Sequence, residues 1–341
     1  MSLASLLDAL AAERGWAARL RERAAAAPRR VALPETDDPR VLAAAGALAA
    51  SGLARPLLIG RRPAAGLPAE LARRLPDEVW RDPTADAERA LTAQWLLRRR
   101  RDRGLTPGQA HVLAASPLYH AAVLVARGEA DALVAGAATP TAEVLRAALW
   151  AIGTAEGRRT VCGAFVMLPP GADAAPLVFA DCAVVPQPDE DQLVEIGAAA
   201  GGTFRSLTGR DPAVAYLSFS TRGSAAHPAA GPPARAAARL AAAQPGWRVA
   251  GELQADAALV PEVGRAKGID WGAGAGADVL VFPDLGSGNI GYKLVERLGG
   301  WRAVGPLLLG LRRPACDLSR GCSALDIVDS AAALALLGGE G

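Results

Sequence analysis

The sequence contains few histidines, cysteines and lysines. Its three histidines, His111, His120 and His227, are scattered, and none of its four cysteines forms a CxxC pair. A zinc site of the usual type is therefore not expected, and structural disulfides are not expected in a chain of this size. Lysine occurs only at Lys267 and Lys293, so arginine carries nearly all of the positive charge.

The charge balance and the hydrophobic pattern exclude two further classes of protein. A net charge of +2 offers no basis for a general nucleic-acid or membrane-surface binder. No uninterrupted apolar run is long enough to span a membrane. The N-terminus carries Asp8 and Glu13 where a signal peptide is basic and then apolar. We therefore expect a cytoplasmic protein without a nucleic-acid or membrane partner.

The length and the order of elements predict the fold class. A chain of 341 residues exceeds the roughly 250–300 residues at which single cores stop growing, so two lobes are expected. Strand-like and helix-like segments alternate almost throughout, which predicts an α/β protein with parallel sheets flanked by helices. Gly251–Val263 is predicted as a helix. Asp278–Phe282 is predicted as a strand that leads into a glycine-rich loop and then into a helix over Tyr292–Leu298.

Ligand sites are expected in the loops that follow the strands, because parallel sheets place them at the carboxyl ends of strands. Four loops qualify: Gly136–Thr141, Ser218–Ser224, Pro283–Gly291 and Cys316–Ser323.

The third of these loops contains Gly286-Ser-Gly-Asn-Ile-Gly291, which matches the dinucleotide-binding pattern G-x-G-x-x-G. The next strand, Val304–Leu309, runs into Gly310 and offers no carboxylate for a ribose. A nicotinamide site is therefore a weak hypothesis. A less specific hypothesis stays open, in which the start of this helix binds a phosphate or an acyl oxygen.

The loop Ser218-Phe-Ser-Thr-Arg-Gly-Ser224 concentrates hydroxyl groups and one arginine after a strand. Such a loop can cradle an anion with its backbone N–H groups and Arg222. An ordinary solvated turn explains the same composition.

The segment Asp317-Leu-Ser-Arg-Gly-Cys-Ser323 leads into a helix for which Ser323 is a plausible N-cap. Asp326 falls in the first turn, where a carboxylate often only complements the helix dipole. Ser319, Arg320 and Asp326 nevertheless bring a hydroxyl, a cation and a base close together. Cys322 has no histidine nearby in sequence, and a buried structural thiol is favoured over a nucleophile.

The chain resembles the phosphate acetyl/butyryltransferase family, specifically the short phosphate acetyltransferases (phosphotransacetylases) without extra N-terminal domains. The resemblance runs over nearly the whole length. The matching stretches are Val31–Glu35, Gly136–Ala142, Phe179–Ala183, Leu217–Ser224, Gly251–Gln254, Val281–Leu285, Gly288–Lys293 and Asp317–Ser323.

The resemblance implies a two-lobed fold related to isocitrate and isopropylmalate dehydrogenases. The first domain is implied to be discontinuous, over residues 1–155 and 311–341, and the second to cover residues 156–310. The active site is implied to lie in the cleft between them.

The implied reaction is acyl-CoA + phosphate ⇌ acyl phosphate + CoA, in a homodimer, with CoA as a substrate and with no metal or other cofactor. The resemblance implies a catalytic base at Asp326, beside Ser319 and Arg320, and direct attack without an acyl-enzyme. The implied binding residues for CoA or phosphate are Arg100, Arg146, Thr139, Thr141, Ser220, Thr221, Arg222, Gly288, Asn289 and Lys293.

The sequence departs from the family pattern near the site loops, at Cys316, Gly286, Val185, Gln187, Ala147 and in a shortened stretch over Ala266–Ala277. Two explanations stay open, an acyl pocket that differs from that of a standard acetyl enzyme and neutral drift. Two other functions also stay open, a dehydrogenase-like oxidoreductase and a non-catalytic relative that binds CoA.

Overall fold

The computed structural model describes residues 2–84, 86–171, 175–272 and 276–337. Strands and helices alternate through most of this part of the chain, which confirms the predicted α/β class. The strands are β1 (Arg29–Leu33), β2 (Ala54–Ile59), β3 (Trp80–Arg81), β4 (Ala132–Ala135), β5 (Cys162–Leu168), β6 (Leu177–Ala180), β7 (Ala213–Leu217), β8 (Arg248–Leu253), β9 (Val279–Val281), β10 (Arg302–Leu309) and β11 (Ala315–Asp317). The helices are α1 (Leu3–Ala12), α2 (Trp16–Ala26), α3 (Pro39–Ser51), α4 (Ala69–Arg74), α5 (Asp86–Arg100), α6 (Pro107–Ala114), α7 (Pro117–Ala126), α8 (Thr141–Ala151), α9 (Glu190–Thr208), α10 (Gly231–Ala243), α11 (Ala255–Leu259), α12 (Pro261–Ala266), α13 (Leu285–Gly299) and α14 (Ala324–Leu337).

The chain divides into two compact units. Unit 1 comprises Met1–Glu156 and Leu311–Gly341, and unit 2 comprises Gly157–Gly310. In unit 1 the strand order is β3-β2-β1-β4-β11, and every neighbouring pair is parallel. Helix α14 packs on α2, α3 and β4, so the end of the chain completes the unit that its beginning started.

Unit 2 contains a mixed sheet with the strand order β10-β5-β6-β9-β7-β8. Strand β5 is antiparallel to both of its neighbours, whereas the pairs from β6 to β8 are parallel. A hydrophobic core that includes Phe165, Phe179, Leu253, Trp271 and Phe282 stabilises this unit.

Local sequence accounts for these elements. Strands β4, β7 and β9 are buried at every position, which is typical of parallel strands covered on both faces. Asp38 caps α3 by accepting the Arg40 N–H group, and Pro39 occupies the first helical position, where its missing N–H costs nothing. Gly52 ends the same helix in a left-handed conformation at φ +67°, which glycine adopts without a steric penalty.

Two element predictions are wrong. The predicted helix over Gly251–Val263 is instead the end of β8 followed by the short helices α11 and α12, with Pro261 at the first position of α12. The segment Gly286–Gly291 is not a loop before a helix. It lies inside α13, which begins at Leu285 with Asp284 as its N-cap.

A buried ion pair holds α14 against the N-terminal helices. Arg21 is 4% exposed, and its Nε donates to Oδ1 of Asp329, which is fully buried, at 2.8 Å. Glu13 also pairs with Arg21. Among the described helices, none combines the length and the apolar character needed to cross a membrane.

Candidate active site

The turn that follows β11 presents two of the three predicted catalytic side chains to solvent. Asp317 at the strand end is 2% exposed, whereas Ser319 and Arg320 are exposed. The Cys322 N–H group donates to the Ser319 carbonyl at 2.9 Å, which closes the turn. Within the described residues, Arg320 forms no ion pair, so its guanidinium is available to an anion.

Asp326 is held at the start of α14 by a reciprocal capping arrangement. The backbone N–H and the hydroxyl of Ser323 both donate to Oδ2 of Asp326, at 2.7 and 2.9 Å. The Ser323 hydroxyl in turn accepts the Asp326 N–H at 3.2 Å, which confirms Ser323 as the N-cap. In the described part of the chain, both hydrogen bonds to this carboxylate end on Oδ2. Oδ1 therefore remains for a ligand on a half-exposed side chain.

Asp317 is a buried carboxyl group beside the turn at residues 319–323. Burial raises its pKa to about 6, the charge of Glu35 acts in the same direction, and a hydrogen bond with Thr141 opposes both. Gly136 stands opposite at φ +108°, where a Cβ atom would lie 2.7 Å from Oδ1 of Asp317 and 2.5 Å from the Leu318 nitrogen. Only glycine fits this close approach of the β4 and β11 ends.

Cys322 is confirmed as a buried thiol. It is 8% exposed, and burial raises its pKa to about 11, because the apolar surroundings disfavour the thiolate. The nucleophilic form is therefore scarce near neutral pH.

Arg100 and Arg146 line one cavity of about 830 Å³ in unit 1. Arg103, Tyr119 and Trp150 contribute to the same wall, and the Arg100 guanidinium lies 4.9 Å from the centre of the Trp150 ring. Burial and the nearby charges of Arg103 and Arg99 hold the pKa of Arg100 below its usual value. An anion in this cavity would offset both effects.

Arg100 belongs to a run of four arginines, Arg98–Arg101, whose members have different environments. Arg99 donates to the backbone carbonyls of Trp150 and Ile152 at 3.2 and 3.3 Å, which makes it a structural side chain. Arg100 instead lines the cavity that it shares with Arg146 and with Arg103, which follows the run. The signals that sequence reasoning missed here are Tyr119 and Trp150, which are distant in sequence from Arg100.

Thr139 and Thr141 lie in the loop between β4 and α8. Thr139 is half-buried and lines a second cavity of unit 1, of about 620 Å³, whereas Thr141 is exposed at the first position of α8. The backbone N–H groups of Ala137, Ala138 and Thr139 all donate to the Glu35 carboxylate. These three N–H groups are therefore not open to a ligand, and the Thr141 side chain hydrogen-bonds with Asp317.

The serine-rich loop of unit 2 cannot form the predicted backbone cradle. Each N–H group from residue 220 to residue 225 is already paired, within the loop or with Glu252. Ser220 is fully buried and donates to Oε1 of Glu252 at 2.8 Å, and the Thr221 hydroxyl accepts the Gln254 N–H at 3.0 Å. Of the three residues predicted in this loop, only Arg222 is exposed.

The predicted residues on α13 have different environments. Gly288 is buried, and a Cβ atom there would lie 2.2 Å from the Asp181 carbonyl oxygen, so its role is to let the helix approach that strand end. Asn289 donates from Nδ2 to the Cys182 carbonyl at 3.1 Å. The Lys293 ammonium donates to Oδ1 of Asn289 at 2.8 Å and is exposed.

The glycine pattern on α13 lacks the geometry of a dinucleotide site. The Asp284 carboxylate accepts the Ser287 N–H at 2.8 Å and so occupies a donor that a pyrophosphate would need. Its negative charge also repels phosphate at this helix start. The nicotinamide hypothesis therefore loses its structural support.

Two of the positions that depart from the family pattern line one cavity. Gly286 and Gln187 face a space of about 620 Å³ in unit 2, together with Asn289. Cys316 and Ala147 are fully buried in unit 1. Residues 273–275 of the shortened stretch lie outside the described part of the chain. An altered acyl pocket stays a prediction.

Comparison with known proteins finds relatives that match nearly the whole chain. The family model described as phosphate acetyl/butaryl transferase matches residues 16–335. A phosphate acetyltransferase from Paracoccus denitrificans is 43% identical over 321 residues, covering 93% of this chain and 98% of its own length. A second, from Acetivibrio thermocellus, is 40% identical over 320 residues, covering 92% and 96%. A solved phosphotransacetylase from Streptococcus pyogenes superposes with a TM-score of 0.82 at 34% identity, covering all of both chains.

The fold and these likenesses define an acyl-group transferase. The chain belongs to the phosphate acetyl/butaryl transferase family. Membership supports acyl transfer between coenzyme A and phosphate as its activity.

Proposed function

We propose that this enzyme transfers an acyl group directly between CoA and phosphate, with Asp326 as the general base. In the direction of acyl-CoA formation, the CoA thiol gives its proton to Oδ1 of Asp326. The sulfur then bonds to the acyl carbon, while the bond from that carbon to the phosphate oxygen breaks. Phosphate leaves with the bonding electrons, and no acyl-enzyme forms.

The observation that carries this proposal is the composition of one short turn. Ser319 and Arg320 are exposed just before α14, and Asp326 on its first turn has one oxygen fixed by Ser323. Fixing Oδ2 orients the carboxylate without using Oδ1, which suits a base that must accept a proton at a defined position. Arg320 supplies charge for the phosphate and for the developing oxyanion, and Ser319 supplies a hydrogen bond.

We further propose that the 830 Å³ cavity of unit 1 binds the phosphorylated end of CoA. Three arginines and one glutamate line this cavity, so its walls carry a net positive charge. Its aromatic and apolar side chains suit the adenine ring, and its volume lies within the roughly 300–1,000 Å³ typical of small-molecule sites. CoA is a substrate in this scheme, and we propose that no further cofactor is needed.

Replacing Arg146 by alanine tests the CoA cavity. Loss of one charge-assisted contact costs about 1.5–3 kcal/mol, so we expect KM for CoA to rise about 10- to 100-fold with kcat within a few-fold of wild type. Steady-state kinetics with acetyl phosphate as the second substrate measure both constants. Arg73→Ala, on an exposed helix position of the same unit, is the matched control. An unchanged KM for CoA in Arg146→Ala would show that the cavity binds something else.

The predicted residues of unit 2 divide into two groups under this proposal. Arg222 and Lys293 present exposed positive charge to phosphate-bearing substrates. Ser220, Thr221, Gly288 and Asn289 instead contact and shape the backbone around them. The homodimer and the cytoplasmic location stay predictions of the sequence.

A further inference from the structure

The carboxylate of Glu35 takes up three consecutive backbone donors of the loop between β4 and α8. Its Oε2 accepts the Ala137 N–H at 2.8 Å, and its Oε1 accepts the N–H groups of Ala138 and Thr139 at 2.9 and 2.8 Å. Successive N–H groups of this kind form an anion-binding concavity when they are left open. Here Glu35 fills that concavity, so the loop is oriented by the protein itself.

Arg40, five residues further along, uses every one of its five N–H groups on protein atoms. Nη1 donates to the carbonyls of Arg320 and Cys322, both at 2.8 Å. Nη2 donates to the Ala137 carbonyl at 2.8 Å and to Oδ2 of Asp38 at 2.6 Å, and Nε donates to Oδ1 of Asp38 at 3.1 Å. This guanidinium has no donor left for a substrate phosphate.

The two side chains share a target. Both bond to the backbone of Ala137, Glu35 at its N–H and Arg40 at its carbonyl. Arg40 also bonds to the turn that carries Ser319 and Arg320. One short segment after β1 therefore ties the loop at residues 137–139 to the turn at residues 319–323.

We infer that Glu35 and Arg40 form a backbone clamp that positions the turn at residues 319–323 for acyl transfer. The inference rests on the proposed function of that turn. Both are positioning residues, because their hydrogen bonds end on backbone atoms, on Asp38 and on the Cys322 sulfur. Their contribution to turnover comes from the placement of Ser319 and Arg320.

Arg40→Lys tests the clamp with the charge retained. A lysine ammonium has three donors at one point and cannot reproduce the planar fork that spans two segments. A shift of about 1 Å at the reacting groups costs on the order of 100-fold. We therefore expect kcat to fall about 10- to 100-fold. KM for CoA should stay within about twofold, because other residues form the proposed CoA cavity.

Glu35→Gln is the milder second variant. Its amide group places N–H donors against the backbone donors of residues 137–139, so at least one of the three hydrogen bonds is lost. We expect kcat to fall about 10-fold and amide hydrogen exchange at residues 137–139 to accelerate. Both changes should appear at temperatures where circular dichroism shows a fully folded protein.

Two matched controls separate positioning from general stability. Arg30→Lys alters an arginine of β1 that donates to the Gly128 carbonyl and pairs with Asp131. Glu195→Gln alters a carboxylate that accepts the N–H groups of Arg159 and Thr160. Both belong to the same chemical types without bonding to the site loops, and kcat should be unchanged in each.

A double-mutant cycle with Ser319→Ala supplies a readout that a purely structural role does not move. If Arg40 acts through the turn, Arg40→Lys should cost less kcat in the Ser319→Ala background than in wild type, because only the part that passes through Arg320 remains. Equal costs in both backgrounds, or clamp variants with wild-type kcat, would overturn the clamp. If wild type forms no thioester, the proposed function is what fails. Hydrogen exchange in Glu35→Gln then decides the clamp alone, and unchanged protection at residues 137–139 would overturn it.

Discussion

Asp326→Asn is expected to retain the fold and lose about 10²- to 10⁴-fold in turnover, the range that a positioned general base contributes. Asparagine matches aspartate in size, and its carbonyl oxygen can still accept the hydrogen bonds from Ser323 that now end on Oδ2. What it cannot do is take a proton from the CoA thiol. KM values for both substrates should change only modestly. Steady-state thioester formation from acetyl phosphate and CoA provides the measurement.

The control for this variant is another helix-start carboxylate. Asp189 is the N-cap of α9 and forms a capping box with Gln192, the third residue of that helix, whereas in α14 Ser323 is the N-cap and Asp326 the third residue. Asp189→Asn therefore makes the same carboxylate-to-amide change in a reciprocal helix cap without touching the proposed base. It should keep wild-type turnover. Near-normal turnover in Asp326→Asn would mean that another group removes the thiol proton.

Asp317→Asn is expected to stabilise the protein at pH 7.5 by about 2 kcal/mol. Burial raises the Asp317 pKa to about 6 in the folded state, against about 3.9 in an unfolded chain. Between pH 4 and pH 6 the folded state therefore holds a proton that the unfolded state releases, so stability falls as pH rises through this window. Above pH 6 the buried carboxylate is charged, and this lowers the free energy of unfolding by its full amount, about 3 kcal/mol for two pKa units.

Asparagine removes that cost, because it is neutral at every pH, although it weakens the hydrogen bond with Thr141. Denaturant unfolding of wild type and Asp317→Asn at pH 4.5 and pH 7.5 should show a gain that is larger at pH 7.5. Asp77→Asn, at a side chain that is 81% exposed, is the control and should show no such difference. Equal stabilities of wild type and Asp317→Asn at both pH values would mean that the Asp317 carboxyl is not strained by burial.

Local signals in the sequence predicted a large part of this architecture. The alternation of strands and helices depends on hydrophobic periodicity, and the Ser323 cap depends on residue types three positions apart. The same local signals misled at Gly251–Val263, because a short buried strand and a helix segment cannot be told apart by apolar spacing alone. The glycines of Gly286–Gly291 lie inside α13, although glycine usually interrupts a helix.

The parts of the site that escaped sequence reasoning depend on pairs that are far apart in the chain. Glu35 bonds to residues about 100 positions away, and Arg40 bonds to the carbonyl of Arg320, 280 positions away. The serine-rich loop looked like an anion cradle because its donors are visible in the sequence. Their partner Glu252 lies about 30 residues away, and the sequence does not reveal that it pairs with them. Which donors remain for a ligand is decided by such long-range contacts.

The stoichiometry of the reaction tests the central claim most directly. Purified protein is mixed with acetyl phosphate and CoA, and thiol loss, thioester formation and phosphate release are followed together. The account predicts one thioester and one phosphate for each thiol consumed, with no phosphate release when CoA is omitted. Phosphate release without CoA, or thiol loss without thioester, would contradict acyl transfer between CoA and phosphate.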